Sequence, residues 1–231
     1  MKLSVICPVY NEEATILEII DRVKRAALPQ NMEREIVVVD DGSTDQTVSH
    51  IKSMAEAGEI VLLRQKNAGK TAAVLNGFKH ATGDIFIIQD GDLEYDPSQY
   101  GKLLEPILEG RAQVVYGSRF MGNIKNMRKR IRLVNFMTNW TLNIIFGTKL
   151  TDNNTCYKVF KREVVEDMLI TSRQYGWDCE VTVKILKQKI PILEVPIDYV
   201  GRTHAEGKKI KFVTGFGSYL QIFRYAFSNT N

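Results

Sequence analysis

The stretch "IFIIQDGDLEYDP", residues 85–97, decides how the rest of the chain is read. Its first four residues are an uninterrupted apolar run of Ile and Phe, the pattern of a strand covered on both faces. It then delivers two carboxylates, Asp90 and Asp92, with one glycine between them. Burying uncompensated charge at a strand end is costly, so positive charge has to meet this turn.

Working outward, the same kind of run recurs. "LSVICPVY" (3–10), "REIVVVDD" (34–41), "EIVLLRQ" (59–65), "DIFIIQD" (84–90) and "AQVVYGS" (112–118) read as strands of a parallel sheet. Between them, "EEATILEIIDRVKRAA", "TDQTVSHIKSMAEA", "KTAAVLNGFKHA" and "PSQYGKLLEPILEG" space apolar residues by three and four, as amphipathic helices do. This alternation predicts an α/β fold: a doubly wound, mostly parallel sheet flanked by helices, with ligands at the carboxyl ends of its strands. After residue 120 the rhythm changes, and a further strand over 192–200 precedes the basic loop "GRTHAEGKKIKF". The expectation is one domain over 1–231, with a ligand-binding half at 1–120 and a C-terminal arm at 121–231.

Composition sets the bounds. At 231 residues and 44% hydrophobic, the chain can bury a large core. No apolar run approaches the roughly 18 residues of a membrane span, and the start "MKLSVICPVYNEE" turns polar too early for a signal peptide. The expected location is cytoplasmic. Cys7, Cys156 and Cys179 show no metal-ligand spacing and are read as reduced thiols. The net charge of +4 is concentrated in "KNMRKRIR" (125–132), where five of eight residues are Lys or Arg.

Three strands end in polar residues of one kind: "PVYNEE" (8–13), "DDGSTD" (40–45) and "DGDLE" (90–94). In a doubly wound sheet these converge on one edge and describe a crevice. Asp90 and Asp92 can both lean toward one hard cation, and Mg2+ or Mn2+ takes one or two carboxylates and completes its shell with phosphate oxygens. On the tripeptide alone a solvated turn is the competing reading.

Together, "VICPVYNEE", "IVVVDDGSTDQT", "NAGKTAAVLNGFKHATGD" and "QDGDLEYDP", in this order, resemble the family 2 glycosyltransferases, whose fold is GT-A. Within that family "GSRF", "TDNNTCYKVF", "EVPIDYVGR" and "EGKKI" resemble the branch of dolichyl-phosphate and polyprenyl-phosphate hexosyltransferases. The resemblance implies a UDP- or GDP-hexose donor, with Pro8, Tyr10, Glu12 and Asp40 lining the base and ribose pocket, Asp41 close by, and Lys70 approaching the donor. It implies that Asp90 and Asp92 hold the metal and diphosphate, with Glu94 as a third metal-side ligand. Arg119 and Arg202 match positions that hold the acceptor phosphate, and Arg132 and Lys209 join them through a gapped alignment.

An acceptor phosphate is ionised near neutral pH and brings its own nucleophilic oxygen; a hydroxyl acceptor needs a general base. Asp152, Asp178 and Glu180 are the later carboxylates that could serve, with ordinary salt bridges as their alternative role. His204 lies within reach of the same region, two residues after Arg202, whereas His50 and His80 fall on expected helix surfaces. The segment 125–146 couples its basic start to Ile131, Leu133, Val134, Phe136, Met137, Trp140, Leu142, Ile144 and Ile145, interrupted by Asn and Thr. It is a basic amphipathic element, too polar to span a bilayer, suited to lying on the inner membrane face or to packing on the sheet. Peripheral membrane contact, or a membrane-anchored partner, is the expectation; nucleic acid is not an expected partner.

Two other readings stay open: a glycosyltransferase with a hydroxyl acceptor, and a non-catalytic nucleotide-sugar sensor or scaffold. A nucleotidyltransferase or a dinucleotide dehydrogenase is disfavoured, because no glycine-rich phosphate loop follows the first strand.

Overall fold

The structure, a computed structural model, describes residues 1–29, 32–172, 176–202 and 212–228, with only the helical backbone over 212–219. The first four of the five expected strands form β1 (Lys2–Val9), β2 (Glu33–Asp40), β3 (Val61–Arg64) and β4 (Ile85–Ile88). They pair in parallel, with β1 between β2 and β4 and with β3 outside β2. β5 (Val114–Ser118) and β8 (Ile192–Pro196) continue the sheet in the same direction.

One central strand was not legible as such. β7 (Lys158–Lys161) inserts between β4 and β5 and runs antiparallel to both, giving the order β3-β2-β1-β4-β7-β5-β8. Its sequence, "KVFK", is too short and too polar at its ends to announce a buried strand. The insertion has two consequences. It weaves the second half of the chain into the first, and it starts β7 at the edge where the parallel strands finish, so the loop before β7 faces the crevice.

The stretch expected as one strand over 192–200 divides. β8 ends at Pro196, and Tyr199–Val200 forms β9, which leaves the large sheet to pair with β6 (Ile124–Lys125). A proline lacks the N–H that a ladder needs, which suits it to a strand end.

Helices α1 (Ile16–Arg25), α2 (Thr47–Glu56), α3 (Lys70–His80) and α4 (Tyr100–Leu108) follow β1, β2, β3 and β4. In α1 the buried residues are Ile16, Ile19, Ile20 and Val23, the three-and-four spacing that turns one stripe to the sheet. α6 (Arg162–Val165) is a single turn, and α7 (Trp177–Lys187) is buried on nearly every side.

α5 (Lys129–Phe146) is amphipathic in the opposite sense to an ordinary surface helix. Asn135, Thr138, Asn139 and Thr141 are buried along with Val134 and Leu142, while Leu133, Phe136, Trp140 and Ile144 are 55–65% exposed. The polar inner face is used: Asn139 Oδ1 accepts from Asn153 N at 2.8 Å, Asn143 Oδ1 accepts from Leu150 N at 2.8 Å, and Asn143 Nδ2 donates to Leu150 O at 2.9 Å. α8 (Phe212–Phe227) packs on α5 and α7 through a small second core of Leu142, Cys179, Val183, Ile222 and Tyr225. Its Leu220, Phe223 and Phe227 also face outward.

At the opposite sheet edge, Glu35 on β2 accepts from Ser4 Oγ at 2.5 Å, Thr82 Oγ1 at 2.7 Å, Thr82 N at 2.8 Å and Lys2 Nζ at 3.1 Å. Burial alone would raise this carboxyl, but the hydrogen bonds outweigh it and hold its pKa at about 2 against an ordinary 4.5. A depressed pKa contributes stability that is fully present above pH 4.5 and is lost as the pH falls toward 2. Glu35→Gln should therefore lower the melting temperature at pH 7 and flatten the loss of stability on acidification, as read by circular dichroism melts across this range.

Candidate active site

The crevice lies at the carboxyl ends of β1, β2 and β4. β1 delivers Pro8 opposite Val39 and ends beside a half-exposed Tyr10. The turn after it is held by Asn11, whose backbone is left-handed at φ 52° and whose Oδ1 accepts from Thr44 N at 2.8 Å.

The two aspartates after β2 separate in role. Asp40 is fully buried; its Oδ1 accepts from Ser43 N at 3.1 Å, and its Oδ2 makes no hydrogen bond, with Arg64 Nε at 3.8 Å. That oxygen therefore keeps acceptor capacity that no hydrogen bond among the described residues uses. Asp41, expected near the ribose, turns instead to the loop before α3: it accepts from Gln65 Nε2, Ala68 N and Gly69 N, each at 2.8 Å. Gly69, at φ 92°, makes the left-handed step that starts α3 with Lys70. Asp41 thus acts through Lys70 by fixing its loop.

The acidic turn shows what meets its charge. Lys70 Nζ lies 2.5 Å from Asp90 Oδ1, and Arg202 spans the other side, with Nη2 2.7 Å from Asp92 Oδ2 and Nη1 3.0 Å from Glu12 Oε2. Glu94 Oε1 accepts from Arg202 N at 2.6 Å, and Glu94 Oε2 accepts from the Tyr199 hydroxyl at 2.6 Å. Gly91 is required by close approach: a Cβ there would stand 2.7 Å from Val9 Cγ1. Thr15 donates to Gly91 O at 2.8 Å, and beneath the turn the buried Gln89 accepts from Tyr100 and Tyr157 hydroxyls at 2.8 and 2.9 Å. Gln89, Thr15 and Tyr199 were not singled out from sequence, because a lone polar residue or tyrosine carries no spacing signal.

Among the described residues, four carboxylates, Glu12, Asp90, Asp92 and Glu94, meet two cations, Lys70 and Arg202. Burial works against the charge on Lys70, yet Asp90 more than compensates and holds it above its ordinary value. Asp90 is drawn below its ordinary range by Lys70 despite its burial. Asp92 goes the other way: burial, then Asp90 and Glu94, push it up to about 7 in spite of Arg202. The turn lacks positive charge at Asp92, and a divalent cation fits that deficit. The three-carboxylate cage expected from Asp90, Asp92 and Glu94 is not assembled, since Glu94 is held by Tyr199 and Arg202; among the described residues no three such ligands form a metal-binding group.

On the second side of the crevice, Arg119 is buried and its side chain is committed. Asp152, itself fully buried, accepts from Arg119 Nε at 2.7 Å, Nη2 at 2.8 Å and backbone N at 2.9 Å. The Arg119 guanidinium also lies 5.2 Å from the centre of the Tyr199 ring, so Tyr199 stands between the Arg119–Asp152 pair and Glu94. Asp178 is bound by the buried Lys158 at 2.6 Å. Glu180, fully buried, accepts from Thr171 N at 2.9 Å and from Ser172 N at 2.5 Å, with Lys184 3.5 Å away. Asp152 and Glu180, nominated as catalytic groups, are thus both engaged by internal partners. Arg132 is exposed at the start of α5, and Lys209 and His204 lie outside the described residues.

A family model described as "Glycosyl transferase family 2" matches residues 4–169, well over half of the chain. The chain belongs to glycosyl transferase family 2. Among curated proteins, this family 2 chain is 31% identical over 229 residues to a dolichol-phosphate mannosyltransferase of Pyrococcus furiosus. The match covers 97% of the chain and 63% of that relative's length. Among solved structures, it resembles the glucosyl-3-phosphoglycerate synthase of Mycobacterium tuberculosis bound to Mn2+, UDP and glucosyl-3-phosphoglycerate, with a TM-score of 0.73 at 20% identity. That likeness covers 97% of this chain and 78% of the other. The same enzyme with Mg2+ and UDP gives a TM-score of 0.72 at 20% identity, over 97% and 77% of the two chains. The shared fold is GT-A.

The Arg119–Asp152 pair makes a direct prediction. Removing one partner of a buried ion pair strands the other charge, at a cost of ~3–5 kcal/mol. Asp152→Asn should lower the unfolding free energy by about that much in urea titrations. A loss of activity in a variant of parent stability would instead return Asp152 to the chemistry.

Proposed function

We propose that this family 2 chain transfers a hexose from a nucleoside-diphosphate sugar to a polyprenyl phosphate, with inversion, at the cytoplasmic face of a membrane. The observation that carries the choice of acceptor is that Asp152, Asp178 and Glu180 are each neutralised by a cation of their own, Arg119, Lys158 and Lys184. Each of the three is engaged by an internal partner, so a hydroxyl acceptor finds no uncommitted base among them, whereas a phosphate brings an anionic oxygen. The dolichol-phosphate mannosyltransferase relative supports the same acceptor class.

In this reading Pro8, Tyr10 and Asp40 receive the nucleoside, Asp40 Oδ2, which has no hydrogen bond among the described residues, accepting a donor from it. Lys70 approaches the diphosphate from the start of α3, where the helix dipole also favours anions. Asp90 and Asp92 would hold Mg2+ or Mn2+, which when bound neutralises charge on the departing diphosphate. A phosphate oxygen of the acceptor attacks the anomeric carbon, the bond from that carbon to the diphosphate oxygen breaks, and the nucleoside diphosphate leaves with the electron pair. Arg202 supplies the cationic side on which the acceptor phosphate is held.

The outer faces of α5 and α8 support a lipid surface as the source of the acceptor. Leu133, Phe136, Trp140 and Ile144 on one helix, and Leu220, Phe223 and Phe227 on the other, are exposed, and Lys125, Arg128, Lys129, Arg130 and Arg132 rim the first. Basic residues near an anionic leaflet contribute roughly 1 kcal/mol each. The proposed contact is peripheral; among the described residues no helix is long and apolar enough to cross a membrane.

Transfer to a short prenyl phosphate should exceed transfer to the corresponding prenol, vanish in excess chelator and return with Mn2+ or Mg2+. Asp92→Asn should cost at least ~100-fold in rate, or about 2.7 kcal/mol of transition-state stabilisation. Robust transfer to the prenol and none to the phosphate would select the hydroxyl-acceptor enzyme. Separately, the Phe136→Ser, Trp140→Ser double variant should fold normally, since both rings are already exposed, and should bind anionic vesicles at least about tenfold more weakly; unchanged co-sedimentation would remove α5 from the membrane contact.

A further inference from the structure

We infer that Arg202 is a displaceable latch on the acidic turn: it is the counter-ion of Asp92 and Glu12 while no metal is bound, and metal binding releases it toward the acceptor phosphate. The inference rests on the proposed function for the identity of that phosphate. It follows from a contrast between the two arginines of the crevice. Arg119 is locked, since its Nε, Nη2 and backbone N–H all donate to one buried carboxylate. Arg202 is not built in this way. Its Nη1 and Nη2 are divided between two different carboxylates, while its Nε is buried without a hydrogen bond, 4.0 Å from Glu94.

The position it occupies is one a cation would contest. Asp92 Oδ2 receives Arg202 at 2.7 Å, and the same carboxylate is a proposed metal ligand, whereas Lys70 sits on Asp90. A divalent ion on this turn therefore competes with a guanidinium for one oxygen. The segment carrying Arg202 is anchored independently of that contact: Gly201 N donates to Lys125 O at 3.0 Å, Val200 N to Glu94 O at 3.2 Å, and Tyr199 to Glu94. Releasing the side chain thus leaves the backbone in place, beside the crevice, with a guanidinium fork free for phosphate. The consequence is order: metal and donor bind first, and they create the acceptor's cation.

The test is a titration of the metal-free protein with Mn2+ alone, followed by calorimetry. Arg202→Gln should bind Mn2+ roughly tenfold more tightly than the parent, and Arg202→Lys should fall between them, because an ammonium keeps the charge but loses the fork. Arg64→Gln removes a cation near Asp40 without touching the turn, and should change Mn2+ affinity by less than about twofold, which separates contact from general field. The unmutated protein supplies a second measurement: farnesyl phosphate should bind more tightly with Mn2+ present than without, and Mn2+ more tightly with farnesyl phosphate present, by the same factor. Unchanged or weaker Mn2+ binding in a folded Arg202→Gln variant, or no reciprocal gain in the parent, overturns the latch. Transfer activity with no such competition refutes the latch alone; competition without transfer refutes the proposed acceptor alone.

Discussion

Four carboxylates gathered at the end of a buried strand are the constraint around which this molecule is organised. Left alone, Glu12, Asp90, Asp92 and Glu94 would repel one another in a low-dielectric crevice, and the fold answers with one cation from each side. Lys70 arrives from the first half of the chain on the start of α3, and Arg202 from the second half behind the β6–β9 ribbon. Burial and the neighbouring Asp90 and Glu94 still push Asp92 up to about 7 in spite of Arg202. Stability and function are thus in tension at one turn.

The supports of the turn are arranged in the same spirit. Asp41 never needs to touch a substrate to matter, because three hydrogen bonds from it hold the loop that aims Lys70. Tyr199 links Glu94 by its hydroxyl and Arg119 by its ring, so the acidic turn and the Arg119–Asp152 pair are one packed assembly. The antiparallel β7 makes this possible: it brings the loop with Asp152 to the edge at which the parallel strands end.

α5 shows a different economy. Asparagine and threonine usually face water, yet here they face inward, where they bind the backbone of residues 150–153 and brace the loop that carries Asp152. The aromatic and aliphatic residues are thereby turned outward. A helix that exposes Phe136 and Trp140 while burying Asn135 and Asn139 presents an apolar surface outward.

The sequence by itself determined the parallel framework and the location of the crevice. Continuous Val and Ile runs can only be strands covered on both faces, and "PVYNEE", "DDGSTD" and "QDGDLE" follow them directly, so local chemistry was enough to place Glu12, Asp40, Asp90 and Asp92 on one edge. The membership in family 2 was legible in the same motifs. What only the tertiary structure decided was which charge neutralises which. Asp41 and Asp40 are neighbours of identical type, and only the packing of residues 65–69 turns one into a staple and leaves an oxygen of the other without a hydrogen bond. Arg119 and Arg202 looked alike as phosphate binders, yet one is buried on Asp152 and the other rests on Asp92, because their partners lie 33 and 110 residues away in the chain. Periodicity and motif spacing act over one element; pairings between distant charges are set by how strands from both halves interleave, and no local pattern encodes that.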